Sequence, residues 1–253
     1  MRSPDFIIGG APRSGTTWLY AALDLHPGVH MAKPVTPEPK FFLVDELYEK
    51  GFASYCDRWF AQVPSGIKAG EKSTNYLESP VAAQRIFAHL PQARLIFLLR
   101  EPVDRCFNNW LWSRHNGVEK ESFAFALAQE EERERTCPPS LRYARPHALF
   151  SRGLYADLLR PSFELFPREQ ILVLRFEDIA SAPGEVLART HAFLGVEQRP
   201  GDVDGLGVIN RADGELDETL PEDLRARLHA AYEEPNRQLA ALLGPGFPLW
   251  DGK

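Results

Sequence analysis

The sequence predicts an α/β fold, a central parallel sheet flanked by helices on both faces, and three observations predict it. Short apolar runs rich in β-branched and aromatic residues, Asp5 to Gly10, Arg94 to Leu99 and Ile171 to Leu174, are bounded by turn or charge signals. The second and third lack polar alternation, as strands buried on both faces do. Each run is followed by a helical pattern, and strands that alternate with helices imply a parallel sheet. At 253 residues, 44% hydrophobic and 25% charged, the chain has ample apolar material for one large core. The expected organisation is a single domain, 1–253.

The first strand ends in glycine. Ala11-Pro12-Arg13-Ser14-Gly15-Thr16-Thr17 then leads into helical spacing at Trp18, Leu19, Ala22, Leu23 and Leu25. Gly10 and Gly15, with four residues between them and two hydroxyl residues after, have the glycine placement of a P-loop, so the fold expected is of the P-loop type. Successive main-chain N–H groups at such a turn converge on one concavity, and the helix N-terminus adds partial positive charge. The ligand expected there is an anion. Ser79 to Leu90 reads as a helix before the second strand. After that strand, Pro102 suits the first turn of a helix through Val103, Phe107 and Trp110. Gly153 to Phe166 and Val186 to Leu194 read as further helices, and Leu220 to Leu243 as a long amphipathic one stopped by Gly244-Pro245. Lys33 to Pro39 and Gly201 to Gly214 read as substantial loops.

Two details turn the loop away from a magnesium-dependent triphosphatase. Where such enzymes carry lysine after the second glycine, this chain has Thr16, and the loop's cation is Arg13. At the end of the second strand, where a magnesium-binding aspartate is common, it has Arg100. A P-loop nucleotide kinase or phosphotransferase, and a nucleotide-binding protein without catalysis, are the alternative readings.

Composition sets further bounds. A formal charge of -6 argues against general binding of nucleic acid or anionic membrane. Cys56, Cys106 and Cys137 form no CxxC pair, and the histidines show no HxxxH or HExxH spacing, so no metal site is expected. No run is long enough to span a bilayer and no signal-peptide core precedes Phe6-Ile7-Ile8, so the expected location is cytoplasmic, without membrane insertion. Glu130 to Arg135 reads as a solvated helix face, and Phe107, Trp110 and Trp112 as packing residues.

Pro12 to Trp18 resembles the 5′-phosphosulfate loop of sulfotransferases that use 3′-phosphoadenylyl sulfate (PAPS), and Leu99-Arg100-Glu101-Pro102-Val103-Asp104-Arg105 is similar to their 3′-phosphate motif. Further segments match the heparan sulfate branch in order: Glu38-Pro39-Lys40-Phe41-Phe42, Gly70-Glu71-Lys72-Ser73, Gly153-Leu154-Tyr155, Glu234-Pro235-Asn236 and Phe247-Pro248-Leu249-Trp250. The resemblance covers nearly the whole chain. It implies transfer of a sulfuryl group from PAPS to a hydroxyl or amine of a small-molecule or carbohydrate acceptor, releasing 3′-phosphoadenosine 5′-phosphate (PAP), with no metal.

Roles follow by position. The resemblance implies that Arg13, Ser14, Gly15, Thr16, Thr17 and Trp18 form the loop around the 5′-phosphate, with Arg13 also at the leaving oxygen. It assigns Arg100 to the 3′-phosphate, together with Asn108, which stands where the family has serine. Arg211, in the late loop, is a further candidate for that phosphate. Glu38 matches the general base, and Lys72 lies beside the transferring group. Lys40, in a place often held by histidine, joins Glu71 and Lys72 as a substrate contact. Thr74-Asn75-Tyr76 keeps the family's tyrosine and loses its proline.

Overall fold

The computed structural model describes residues 1–199, 206 and 218–250. In chain order its elements are β1 (Phe6–Gly10), α1 (Thr16–Asp24), β2 (Val29–Met31), α2 (Asp45–Tyr48), α3 (Phe52–Phe60), β3 (Lys68–Lys72), α4 (Pro80–His89), β4 (Arg94–Leu99) and α5 (Pro102–His115). There follow α6 (Phe123–Ala128), α7 (Glu130–Arg135), α8 (Tyr155–Leu165), β5 (Ile171–Arg175), α9 (Phe176–Ser181), α10 (Pro183–Leu194) and α11 (Glu222–Leu243). They fall into two compact units, 1–99 with 161–210, and 100–160 with 211–253.

The first unit holds a five-stranded sheet in the order β2-β3-β1-β4-β5, with every described pairing parallel. Its burial explains the unbroken apolar runs. On one face Phe6, Ile8, Ile96, Leu98 and Leu174 pack with Trp18, Leu19 and Leu23 of α1 and with Val186, Leu187 and Leu194 of α10. The alternate residues Ile7, Leu95, Phe97 and Val173 are equally buried, so both faces are covered. Each such side chain contributes about 1.5–3 kcal/mol by leaving water.

At the carboxyl end of β1 the pairing with β4 shifts register between Ile8 and Gly10, which turns the chain out of the sheet into the loop before α1. Gly10 is required there by crowding: a Cβ would lie 2.7 Å from the Leu77 Cβ and 2.9 Å from the Thr74 carbonyl oxygen. Gly15, with φ of 81°, takes the left-handed conformation that starts α1, and it packs against Phe176 and Ile179.

The second unit has its own core. Val103, Phe107 and Trp110 of α5 pack with Phe123, Leu149 and, on α11, Leu224, Leu228 and Tyr232. Trp112 departs from the packing expected of it and is 40% exposed, because it lies two residues from Trp110 and so on another face of α5. Glu130 departs in the opposite sense. It is buried and accepts from the Phe150 and Ser151 amides at 2.6 and 2.9 Å and from the Ser151 hydroxyl at 2.6 Å. The charged run therefore ties down a neighbouring segment, and is no plain solvated face. The helices predicted at 79–90, 153–166, 186–194 and 220–243 are present as α4, α8, α10 and α11, with ends shifted by a few residues.

Candidate functional site

The loop between β1 and α1 is built as an anion cradle. Gly15 occupies the N-cap position and offers no side-chain cap, so the first-turn N–H groups of α1 have no acceptor within the helix. Arg13 adopts a positive φ of 65° and keeps part of its surface in solvent, as do Gly15 and Thr17. The Ser14 hydroxyl is buried with no hydrogen-bond partner among the described residues. A loop with an orphaned hydroxyl, an uncapped helix start and a guanidinium fits an anionic oxygen. Trp18, expected to belong to this loop's ligand contacts, sends its ring into the apolar cluster under α1. Thr16 is buried as well.

Beside this cradle stands Glu38. The Lys72 ammonium donates to its Oε1 at 2.6 Å, the Thr74 amide to Oε2 at 3.2 Å, and the Thr74 hydroxyl lies 3.3 Å from both oxygens. Lys40 Nζ is 3.8 Å from Oε2. Glu38 and Lys72 are largely buried, with side-chain exposures of 13% and 6%. Thr74, which grips Glu38, is the residue whose carbonyl lies against Gly10. The expected base, the expected lysine and the anion loop thus share one neighbourhood of the first unit. A cavity of about 200 Å³ opens beside Glu38, lined also by Pro37, Phe41, Lys50, Tyr55 and Arg58.

The segment carrying Glu38 is pinned by its aromatic pair. Phe41 stacks on Tyr55 at 4.6 Å between ring centroids, and Phe42 meets Tyr76 edge-on at 5.8 Å. The main chain is pinned too: Lys40 N–H donates to the Ser73 hydroxyl at 3.0 Å, and Phe42 N–H to the Tyr76 hydroxyl at 3.2 Å.

Glu71, expected beside Lys72 as a substrate contact, is fully buried. The pleat is the reason: Glu71 pairs with Ile7 and Lys72 with Ile8, so these adjacent side chains leave β3 on opposite faces. Tyr55 donates to Glu71 Oε1 at 2.7 Å, Tyr76 to Oε1 at 3.2 Å and Ser73 to Oε2 at 2.9 Å. Burial pushes the Glu71 carboxyl up to about 7, against the lowering effect of these three hydrogen bonds and with a smaller upward push from the Glu38 charge. Burial likewise raises both tyrosines well above their ordinary value.

Arg100 and Asn108 belong to the second unit. Tyr155 clamps the Arg100 main chain: its hydroxyl donates to the Arg100 carbonyl at 2.7 Å and lies 3.4 Å from the Arg100 amide as acceptor. Pro102 opens α5 and Glu101 caps it, accepting from the Asp104 amide at 2.7 Å. Burial raises the Glu101 carboxyl. The Asn108 amide donates within α5, to the Asp104 carbonyl at 2.7 Å. Arg211 lies outside the described residues. Thr74 and Tyr155 are the residues whose roles sequence reasoning missed; both sit in matched segments, and the contacts that define them are long-range. Among the described residues no group of three or more His, Cys, Asp or Glu is placed to hold a metal ion, and no helix is long and apolar enough to cross a membrane.

Residues 3–206 match the family described as the sulfotransferase domain. A crystal structure of a sulfotransferase from Alicyclobacillus acidocaldarius is 30% identical, with a TM-score of 0.78 and 96% of each chain covered. The human bifunctional heparan sulfate N-deacetylase/N-sulfotransferase 3 is 26% identical over 275 residues, covering 98% of this chain; the chain spans 31% of that relative's length. Mouse sulfotransferase SULT7A1, solved in complex with PAP, shares the fold at a TM-score of 0.51 and 19% identity, over 79% of this chain and 61% of its own.

Proposed function

The chain belongs to the sulfotransferase family, and on that footing we propose that it moves a sulfuryl group from PAPS to a hydroxyl or amine of a small-molecule or carbohydrate acceptor, releasing PAP. One observation carries the reading. Thr74, pressed against Gly10 at the start of the anion loop, donates to Glu38, so that a carboxylate and the ammonium of Lys72 stand beside the cradle for an anion.

The donor, when bound, supplies the sulfuryl group and a phosphate leaving group. Arg13 and the first-turn amides of α1 hold the 5′-phosphate and stabilise the charge that gathers on the bridging oxygen. Glu38 takes the proton from the acceptor O–H or N–H as that atom bonds to sulfur and the bridging S–O bond breaks; the electron pair leaves on the phosphate oxygen of PAP. Lys72, hydrogen-bonded to Glu38, orients the carboxylate and offers its ammonium to a sulfuryl oxygen. Arg100 grips the 3′-phosphate by charge-assisted hydrogen bonds, with its main chain held by Tyr155. The cavity beside Glu38, with Lys50 and Arg58 in its wall, is sized for one small ring and is the seat we assign to the acceptor.

Calorimetry with PAP in magnesium-free buffer, followed by a donor-consumption screen over sugars, phenols and amines, tests this. Binding of PAP and acceptor-dependent consumption of PAPS are expected. Tight binding of magnesium-ATP with indifference to PAP overturns the reading.

A further inference from the structure

Several buried ionisable groups stand outside the mechanism, and one of them lies under the Glu38 segment. Glu71 touches neither cradle nor cavity, yet it is the hub of the contacts that hold the Glu38 segment. Its carboxylate accepts from three hydroxyls, and two of those hydroxyl oxygens accept in turn from the main chain of that segment. Each hydroxyl has a single hydrogen. When Ser73 and Tyr76 direct theirs at Glu71, their lone pairs are turned to the Lys40 and Phe42 amides, two and four residues beyond Glu38.

We infer that Glu71 is a positioning residue for Glu38: as a carboxylate it sets the direction of the whole chain of hydrogen bonds that fixes the 38–42 segment, and on taking up a proton it releases that segment. The inference rests on the reading of Glu38 as base. The physical step is a count of donors. A protonated Glu71 carries an O–H that must itself be accepted, and the oxygens within reach belong to Tyr55, Ser73 and Tyr76, all of which are already donating to it. At least one donor then faces another, and a buried unsatisfied donor costs about 1–3 kcal/mol, enough to displace an anchor.

The groups facing Glu71 keep the proton exchange near neutrality. Tyr55 comes from α3, with the Cys56 thiol beside it; Ser73 and Tyr76 come from the turn after β3; Glu38 contributes its negative charge from the loop; Lys72 leaves β3 on the other face. Burial, the largest influence, lifts the Glu71 carboxyl to about 7, so acidification below neutral reaches it while the fold is intact.

The test uses the full chain and two readouts. Hydrogen-exchange protection of the Lys40 and Phe42 amides is followed by NMR from about pH 5.5 to 8.5, and kcat is measured over the same range with saturating PAPS and the acceptor found in the screen. In the wild type, amide protection falls as pH drops through neutrality and kcat gains an acid limb, approaching about tenfold per pH unit. In E71Q both amides are weakly protected at every pH and that limb is lost, while KM for PAPS is unchanged; E71D restores part of the pH dependence. S73A, which removes one anchor and keeps the carboxylate, loses Lys40 protection and carries the test if E71Q does not fold. Protection that is flat with pH in the wild type, or an E71Q profile that overlays it, overturns the inference. The base reading fails separately: if E38Q still turns over, Glu38 is not the base, whereas the amide measurement continues to report whether Glu71 holds the segment.

Discussion

Two glutamates flank the carboxyl end of β3, and the same side chain meets opposite surroundings. Glu38 lines the small cavity, keeps 13% of its side chain exposed, and is held by an ammonium and a threonine. Glu71 is enclosed on the far face of the sheet, held by three neutral hydroxyls. The chemistry asked of each differs accordingly. A carboxylate beside a cation and a cavity can exchange a proton with a substrate, whereas one enclosed by hydroxyls can only change the order of its surroundings. The sheet makes the division: β3 alternates its side chains, so one strand end serves a reactive face and a supporting face.

The contrast is most exposed to failure when each glutamate is neutralised in turn. E38Q is expected to lower kcat by about 10²–10⁴-fold, the range of a lost general base, with PAP affinity by calorimetry unaltered. Near-normal turnover would remove the distinction between the two faces. Next in size is Lys72→Ala. It strips the cation from a largely buried pair, and breaking a buried pair costs about 3–5 kcal/mol; residual exposure of Glu38 brings the expected loss to about 2–3 kcal/mol. Thermal unfolding together with kcat should show both stability and rate falling, and a change in rate alone would make Lys72 a contact of the transferring group without a part in holding Glu38.

Arg100, whose proposed role is to hold the nucleotide, supplies a reference point for both carboxylates. R100A should weaken PAP by about 1.5–3 kcal/mol, the worth of hydrogen bonds to a charged group, and leave kcat at saturating donor near its starting value. Titration calorimetry reads the first and a donor-saturation curve the second. A fall in kcat without a change in affinity would reassign Arg100 from gripping the nucleotide to the transfer itself.

The cradle was open to sequence reading because its signals are local: glycines where the chain has no room for a Cβ, hydroxyls at a helix start, and apolar runs for the strands on either side. Arg13 and the turn at Gly15 follow from residues adjacent in the chain. Lys72 and Glu38 were matched by resemblance, and their 2.6 Å contact joins residues 34 apart. The surroundings of Glu71 are not legible in the motif because adjacency in a strand means opposite faces, and one of its partners, Tyr55, sits on α3, a segment with no role in the motif pattern. Glu130 failed for a related reason: a run of charges carries no mark of which member meets the Phe150 and Ser151 amides. Long-range polar contacts leave little periodic trace, so motifs locate the reacting groups better than they locate what supports them.

A pH-dependent effect separates the two glutamates by thermodynamics alone. The Glu71 carboxyl is raised from 4.5 to about 7 in the folded chain, so between those limits the folded chain binds more protons than the unfolded one. Stability from this group is therefore fully present below about 4.5 and is lost as pH rises through 7. The expected slope is about 1 kcal/mol per pH unit within the window, since a tenfold change in proton affinity corresponds to about 1.4 kcal/mol. Urea unfolding of wild type and E71Q at several pH values isolates it: the difference in stability between them should move against the wild type from about pH 5 to 7 and level off above. A constant difference would mean that Glu71 does not exchange its proton in that window and that its three hydroxyl donors fully offset burial. If the slope is present, a proton that stabilises the fold is also the one that frees the Glu38 segment. The chain then holds the Glu38 segment more completely as pH rises through about 7, by keeping a buried charge that global stability alone would not favour.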